Sequence, residues 1–216
     1  MRYVKMLALA AVAVGALMAF IGAGTASATK ICSTTVDPCP AGQHWPTDTT
    51  LHFTLVEKGS ALLTTTEGET INTCSKSTVT ITTTNTGSST ETVTGDIKKL
   101  VWEGCNFTTT TNNLGALEIH KIAGTSNGTL TVDPQAGKIP EVTINTVFFG
   151  SCVYGITSGV SVGDLTEGKG ATAIFHANAT AHKLSGSNLA CPETAKWTAT
   201  YQLTEPSATT LSITNG

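Results

Sequence analysis

The segment Thr78-Val79-Thr80-Ile81-Thr82 places an apolar side chain at every second position, with a threonine between. Successive side chains of an extended strand point to opposite faces of a sheet, so this period predicts a half-buried antiparallel strand. Threonine suits the outer face because it is polar and its branched Cβ favours extended backbone. The same alternation recurs at residues 51–55, 130–132, 142–146 and 197–201.

Glycine-rich and asparagine-rich turns separate these segments, at residues 85–87, 126–128, 133–137 and 167–170. No stretch shows the period of a helix. Short alternating strands separated by turn residues are typical of all-β domains. We therefore expect an all-β fold over residues 49–216, an antiparallel β-sandwich held together by disulfides. A β-barrel and two packed β subdomains are the alternatives.

The first 28 residues predict a signal peptide. Arg2 and Lys5 precede an apolar run, and Thr25-Ala26-Ser27-Ala28 ends it with small residues typical of a cleavage site. We expect cleavage before Thr29, secretion to the cell surface or medium, and no membrane span in the rest of the chain. Residues 29–48 lack alternation, and we expect them to form an N-terminal loop closed by a disulfide.

Cysteine number agrees with an oxidising compartment. An even number of cysteines in an exported chain favours structural disulfides over a zinc site, and no C-x-x-C pair is present. Spacing alone cannot decide among the pairings. We expect each cysteine to bond to the next one along the chain, because the last two pairs formed in this way would each close one compact β segment. This expectation pairs Cys32 with Cys39, Cys74 with Cys105, and Cys152 with Cys191.

Charge excludes nucleic acid as a partner. The chain has 12 Lys+Arg and 15 Asp+Glu. Removal of Arg2 and Lys5 with the signal leaves 12 − 2 = 10 against 15, which is a net charge of −5 with no arginine. Polyanion binding needs clustered cationic side chains, which scattered lysines do not supply. Threonine makes up about a fifth of the remaining residues, so we expect an outer surface of hydroxyl groups rather than ion pairs.

A series of short segments carries a resemblance to known proteins. They are Thr73-Cys74, Trp102-Glu-Gly-Cys105, Gly150-Ser-Cys-Val-Tyr154, Cys191-Pro192 and the ending Trp197-Thr-Ala-Thr-Tyr201. In this order the chain resembles a group of uncharacterised secreted proteins of actinobacteria, and more distantly secreted proteins named for activating alkane oxidation. The resemblance implies a secreted β fold, and it supplies no catalytic residues.

Gly159-Val-Ser161-Val-Gly163 matches the G-x-S-x-G pattern of a hydrolase nucleophile, and Asp164, His176 and His182 follow in the order of acid and base. That chemistry needs the serine on a tight turn between a strand and a helix. The residues after Asp164 are glycine-rich and do not predict a helix. We therefore expect a flexible loop between strands at Ser161.

The histidines do not predict a metal site. His176 and His182 lie an even number of residues apart and would face the same side of one strand, but no third ligand accompanies them. The neighbouring carboxylates match no calcium loop. We expect no metal and no cofactor.

The aromatic residues offer one candidate binding surface. Trp197 and Tyr201 share the apolar face of a strand, and Trp102 comes shortly before a cysteine, so we expect these rings in the core. Trp45 lies in the N-terminal loop beside His44 and before a proline, where the pattern does not require burial. His44 and Trp45 are therefore the candidate ligand-binding residues.

These observations order three hypotheses. The first is a secreted, non-catalytic structural or interaction protein, whose partner would be an unknown extracellular protein or a carbohydrate. The second is an extracellular binding module for carbohydrate or a small apolar ligand, which an exposed Trp45 or an internal apolar cavity would favour. The third is a serine hydrolase that uses Ser161. We expect the protein not to be an enzyme.

Overall fold

The computed structural model describes residues 28–216, so the predicted signal peptide lies outside the described residues except for Ala28. Every regular element in this range is a β-strand apart from a 3₁₀ turn at Gly170–Thr172. The strands are β1 (Thr29–Cys32), β2 (Thr50–Leu55), β3 (Ala61–Thr64), β4 (Thr70–Thr83), β5 (Val93–Cys105), β6 (Thr108–Asn113), β7 (Gly115–Lys121), β8 (Gly128–Pro134), β9 (Glu141–Thr146), β10 (Gly150–Gly155), β11 (Val160–Thr166), β12 (Gly168–Lys169), β13 (Ile174–Lys183), β14 (Thr194–Glu205) and β15 (Thr210–Asn215).

Eight of these strands form a closed antiparallel ring in the order β4-β5-β7-β8-β11-β13-β14-β2, with β2 paired back to β4. The turns expected near residues 85–87, 126–128 and 133–137 lie between strands of this ring or at its rim. The prediction of an all-β antiparallel fold is confirmed. Ring closure corresponds to the barrel that the sequence left as an alternative.

The longest strands extend beyond the ring and pair with a second set of neighbours. Beyond the ring, β13 pairs with β10, and the sheet continues through β9 to β6. Between β14 and β4, the place of β2 is taken by β3, which follows it in the chain. The same long strands therefore contribute to two groups of neighbours, one at each end.

A small sheet of β1, β15 and β12 covers part of the barrel. Its first strand, β1, lies within the segment expected to be a loop, and that expectation is wrong for Thr29–Cys32. Thr29, Ile31 and Cys32 are all buried. Such a strand shows no period of two, which is why its sequence does not indicate it.

The interior contains two apolar clusters. The larger fills the barrel and includes Phe53, Leu130, Phe175 and Leu203. The smaller lies at the extended end and is built around Ile144, Cys152, Tyr154 and Cys191. Strands β4, β13 and β14 contribute side chains to both clusters, so the two interiors share one frame of strands.

The predicted sequential disulfide pairing is confirmed. The bonds Cys32–Cys39, Cys74–Cys105 and Cys152–Cys191 close loops of 7, 31 and 39 residues. Cys74 and Cys105 are directly opposite each other on β4 and β5. Cys152 is on β10, and its bond attaches the loop before β14 to that strand. No cysteine of the described range is free.

Loop length ranks the contribution of these bonds to stability. Cross-linking restricts the unfolded chain more when the closed loop is longer, which gives about 4 kcal/mol for Cys152–Cys191 and about 2 kcal/mol for Cys32–Cys39. We expect the double variant Cys152→Ala/Cys191→Ala to lose about twice the unfolding free energy lost by Cys32→Ala/Cys39→Ala. Denaturant titration measures both. A larger loss from the Cys32–Cys39 pair would contradict this ranking.

Candidate functional site

Ser161 lies on a strand and not on the loop that its glycine-rich surroundings predicted. It is an exposed residue of β11, and β11 leads into β12 and the 3₁₀ turn. The glycines of the motif have structural roles. Gly159 has φ = 73° in the turn before β11, and Gly163 has φ = 142° at a β-bulge. A Cβ on Gly163 would lie 2.0 Å from the carbonyl oxygen of His176, so the close approach of two strands requires glycine there.

The residues proposed as acid and base lie on the outer face of the barrel. Asp164 on β11 is directly opposite His176 on β13, and both are exposed. Asp164 accepts a hydrogen bond from Thr129 Oγ1 at 3.0 Å. Ser161 pairs instead with Thr131 on β8. The strand-turn-helix geometry that a G-x-S-x-G nucleophile requires is therefore not present at Ser161.

His176 and His182 occupy the same outer face of β13, as their even spacing predicted. The alanines between them, Ala177, Ala179 and Ala181, face inward and are buried. No group of three or more His, Cys, Asp or Glu side chains in residues 28–216 is arranged to hold a metal ion. Nor does any helix of this range have the length and apolar character needed to cross a membrane.

Trp45 is buried, with 3% of its surface exposed, and belongs to the larger apolar cluster. Its indole Nε1 donates a hydrogen bond to the carbonyl oxygen of Thr210 at 3.1 Å. His44 is half-buried and pairs with Cys32 through the backbone. Trp45 therefore offers no exposed ring on which a sugar could stack, and the proposed role of His44 and Trp45 in ligand binding loses its main argument.

A cavity of about 80 Å³, partly open to solvent, lies at the junction of the two apolar clusters. Residues from both ends of the fold line it, among them Val79, Leu117, Val132, Tyr154, Ala181 and Trp197. Almost all of the lining is aliphatic or aromatic. Ile156 packs against both clusters and also lines the cavity.

Strand divergence explains why this space is not filled. Strand β5 pairs with β7 only through Val93–Asp96 and then continues beside β4 toward the other end of the fold. Strand β13 pairs with β11 through Ile174–Ala177 and with β10 only at its last residues. The cavity is lined mostly by strand residues, and Pro140 and Ile156 line it from segments that connect strands.

Aromatic rings build one side of the cavity. Trp102 and Trp197 meet edge to face with centroids 5.5 Å apart, and Phe175 lies 6.3 Å from Trp197. Phe175 also stacks on Tyr201 at 5.8 Å. Edge-to-face and offset-stacked rings are mutually stabilising, so these contacts stabilise this wall of the cavity.

Both tyrosines of the described chain are buried beside this region. The Tyr201 hydroxyl donates to Ser77 Oγ at 2.9 Å, and the Tyr154 hydroxyl donates to the carbonyl oxygen of Pro192 at 3.2 Å. Burial raises the pKa of Tyr154 from 10.0 to about 12, and the negative charge of Glu193 adds to this effect. Burial also raises the pKa of Tyr201.

No protein-family model matches this chain, and no curated protein or solved structure is significantly similar to it.

The tyrosines provide a test of this interior in alkaline solution. Because both folded-state pKa values lie above the ordinary value, the phenols stabilise the fold fully below pH 10, and this contribution is lost as pH rises toward the folded pKa values. In protein lacking residues 1–28, which include the only other tyrosine, we expect no tyrosinate absorbance near pH 10. It should appear only at about pH 12 or on unfolding. Ionisation of one tyrosine near pH 10 would contradict the burial of that residue.

Proposed function

We propose that this protein is an extracellular binding module for a small apolar ligand, which it holds in the apolar cavity. The cavity is the observation that carries the proposal. Apolar cavities in proteins stay dry and bind small apolar molecules, because water finds no hydrogen-bond partners there. Three disulfides support an oxidising, extracellular location.

Cavity size limits the ligand. At about 80 Å³ the cavity has roughly half the volume of an apolar cavity of about 150 Å³ that holds benzene. A single aromatic ring or an alkyl chain therefore enters only in part, and its other end lies at the opening. A sugar is disfavoured because its hydroxyls would lie against side chains that cannot form hydrogen bonds with them.

Two alanines on the inner face of β13 provide a matched test. Ala181 lines the cavity, whereas Ala179 is buried but does not line it. We expect Ala181→Leu to fill the cavity, to abolish binding of a probe such as toluene, and to leave stability unchanged or increased. Ala179→Leu has no space to fill and should cost about 1–3 kcal/mol. Thermal unfolding with and without toluene measures both effects.

In this comparison the wild type should be stabilised by toluene, and the Ala181→Leu variant should not. Equal stabilisation of both proteins would place the probe elsewhere and contradict the proposed function. Equal destabilisation by the two leucines would show that no space exists at Ala181.

We propose a second candidate function, contact with an extracellular partner protein, on the basis of exposed apolar residues at one tip of the fold. Val147 and Phe148 in the β9–β10 hairpin are each 82% exposed. Leu189 is 94% exposed, and its neighbour Asn188 donates its backbone N–H to the carbonyl oxygen of Ser151 on β10. Residues 143–153 and 184–192 contain no charged side chain. Exposed apolar residues in uncharged surroundings favour contact with an apolar protein surface.

Substitution at this tip tests the second candidate. We expect Val147→Ser/Phe148→Ser to eliminate capture of the partner from culture medium while preserving thermal stability, because both side chains are solvent-exposed. The matched control is Val36→Ser, which removes an exposed apolar side chain from the Cys32–Cys39 ring. Capture that survives the double substitution, or that Val36→Ser removes equally, would contradict a role for the hairpin.

A further inference from the structure

We propose that the ligand is an amphiphile with a short apolar chain and one anionic head group. The end of the chain lies in the apolar cavity, and the head group lies in an adjoining cleft lined by lysines. This inference rests on the proposed function of the cavity and specifies the chemical class of its ligand.

The cleft, which we call the lysine cleft, is an open surface depression of about 450 Å³ beside β5 and β6. Lys98 and Lys99 line it from β5, and Lys138 lines it from the connection between β8 and β9. The pairing of β5 with β4 skips one residue, since Ile97 is opposite Ile81 and Lys99 is opposite Thr80. This bulge lets two consecutive lysines face solvent on the same strand.

The lysine cleft adjoins the cavity. Leu100 and Asn113 line both spaces. Leu100 follows the two lysines on β5, and Asn113 ends β6. A ligand whose chain lies among the cavity residues therefore has its polar end at these two residues, next to the lysines.

Local charge favours an anion. None of the residues lining the lysine cleft is acidic, although the chain without residues 1–28 has a net charge of −5. Lys98 is paired with Asp96 at 2.7 Å. Glu141 lines the cavity and is directly opposite Asn113, and its carboxylate accepts a hydrogen bond from the Asn112 side chain. Across residues 28–216, Lys99 and Lys138 form no salt bridge, so their charges are available to a ligand.

The two spaces together distinguish between ligand classes. A purely apolar molecule would use the cavity and leave the lysines unpaired. A cationic amphiphile would bring its charge against Lys99 and Lys138. An anionic amphiphile satisfies both surfaces, because its chain is removed from water and its head group pairs with ammonium groups. A carboxylate and a sulfate or phosphate ester share this chemistry.

Probes with the same chain and different head groups test the inference. Tryptophan fluorescence, which reports on Trp102 and Trp197 in the cavity wall, gives the affinity of the protein for each probe. We expect octanoate and octyl sulfate to bind more tightly than octanol, and octyltrimethylammonium to bind most weakly. Added salt should weaken the two anions and not octanol. The ratio of the two anion affinities identifies the preferred head group.

Lysine variants locate the head group. We expect Lys99→Gln/Lys138→Gln to weaken octanoate binding by about two- to fivefold for each lysine removed, as for an exposed ion pair, and to leave octanol binding unchanged. The matched control is Lys76→Gln/Lys196→Gln, which removes two exposed lysines of β4 and β14 outside the cleft. This control should bind octanoate as the wild type does.

The possible results separate this inference from the proposed function. Equal binding of octanol, octanoate and octyltrimethylammonium would overturn the head-group assignment and leave the apolar cavity in place. Equal weakening of octanoate by both pairs of lysine substitutions would also overturn it, because net charge and not the cleft would then be responsible. Failure of toluene and all four probes to bind would overturn the proposed function itself.

Discussion

Sharing of long strands between two sets of neighbours is the constraint on which this structure depends. Strands β4, β5, β13 and β14 are 14, 13, 10 and 12 residues long. Strands β4, β13 and β14 pair with different strands at their two ends, whereas β5 pairs with β4 along its length and with β7 only at its start. On one side, β5 has no paired strand after Asp96, and β13 has none between Ala177 and His182. The apolar cavity and the lysine cleft both lie where the partners change.

The alternation of apolar and polar side chains made most of the strands predictable. Trp197, Ala199 and Tyr201 face the interior as their alternation indicated, and Thr198 and Thr200 alternate with them. The disulfide pairing was predictable because each of the two longer loops closes a local β segment. These features depend on residues that are close together in the sequence or on the closing of one local segment by a disulfide, so a single sequence is enough to predict them.

Other features depend on contacts that distant segments make, and the sequence could not predict them. Trp45 has no alternating neighbours, and its burial follows from contacts with β1 and with Thr210 near the end of the chain. The glycines around Ser161 are required by a turn and a β-bulge. The G-x-S-x-G pattern alone does not distinguish these structural roles from a hydrolase nucleophile. The cavity has no local signature, since its lining residues resemble ordinary core residues. Lys98 and Lys99 carried one weak indication, because two consecutive exposed charges on a strand suggest a bulge.

An unfilled interior has a cost that the cross-links help to offset. By the relation between cavity volume and lost stability, about 80 Å³ of empty apolar space corresponds to about 2 kcal/mol. The bond Cys74–Cys105 joins β4 to β5 near Trp102, and Cys152–Cys191 fixes the strand that supplies Tyr154. Each of these bonds closes a loop long enough to contribute more than the cavity costs. The cross-links thus allow a protein of this size to keep a space at the junction of its two cores, and a ligand that fills the space would recover the lost contacts.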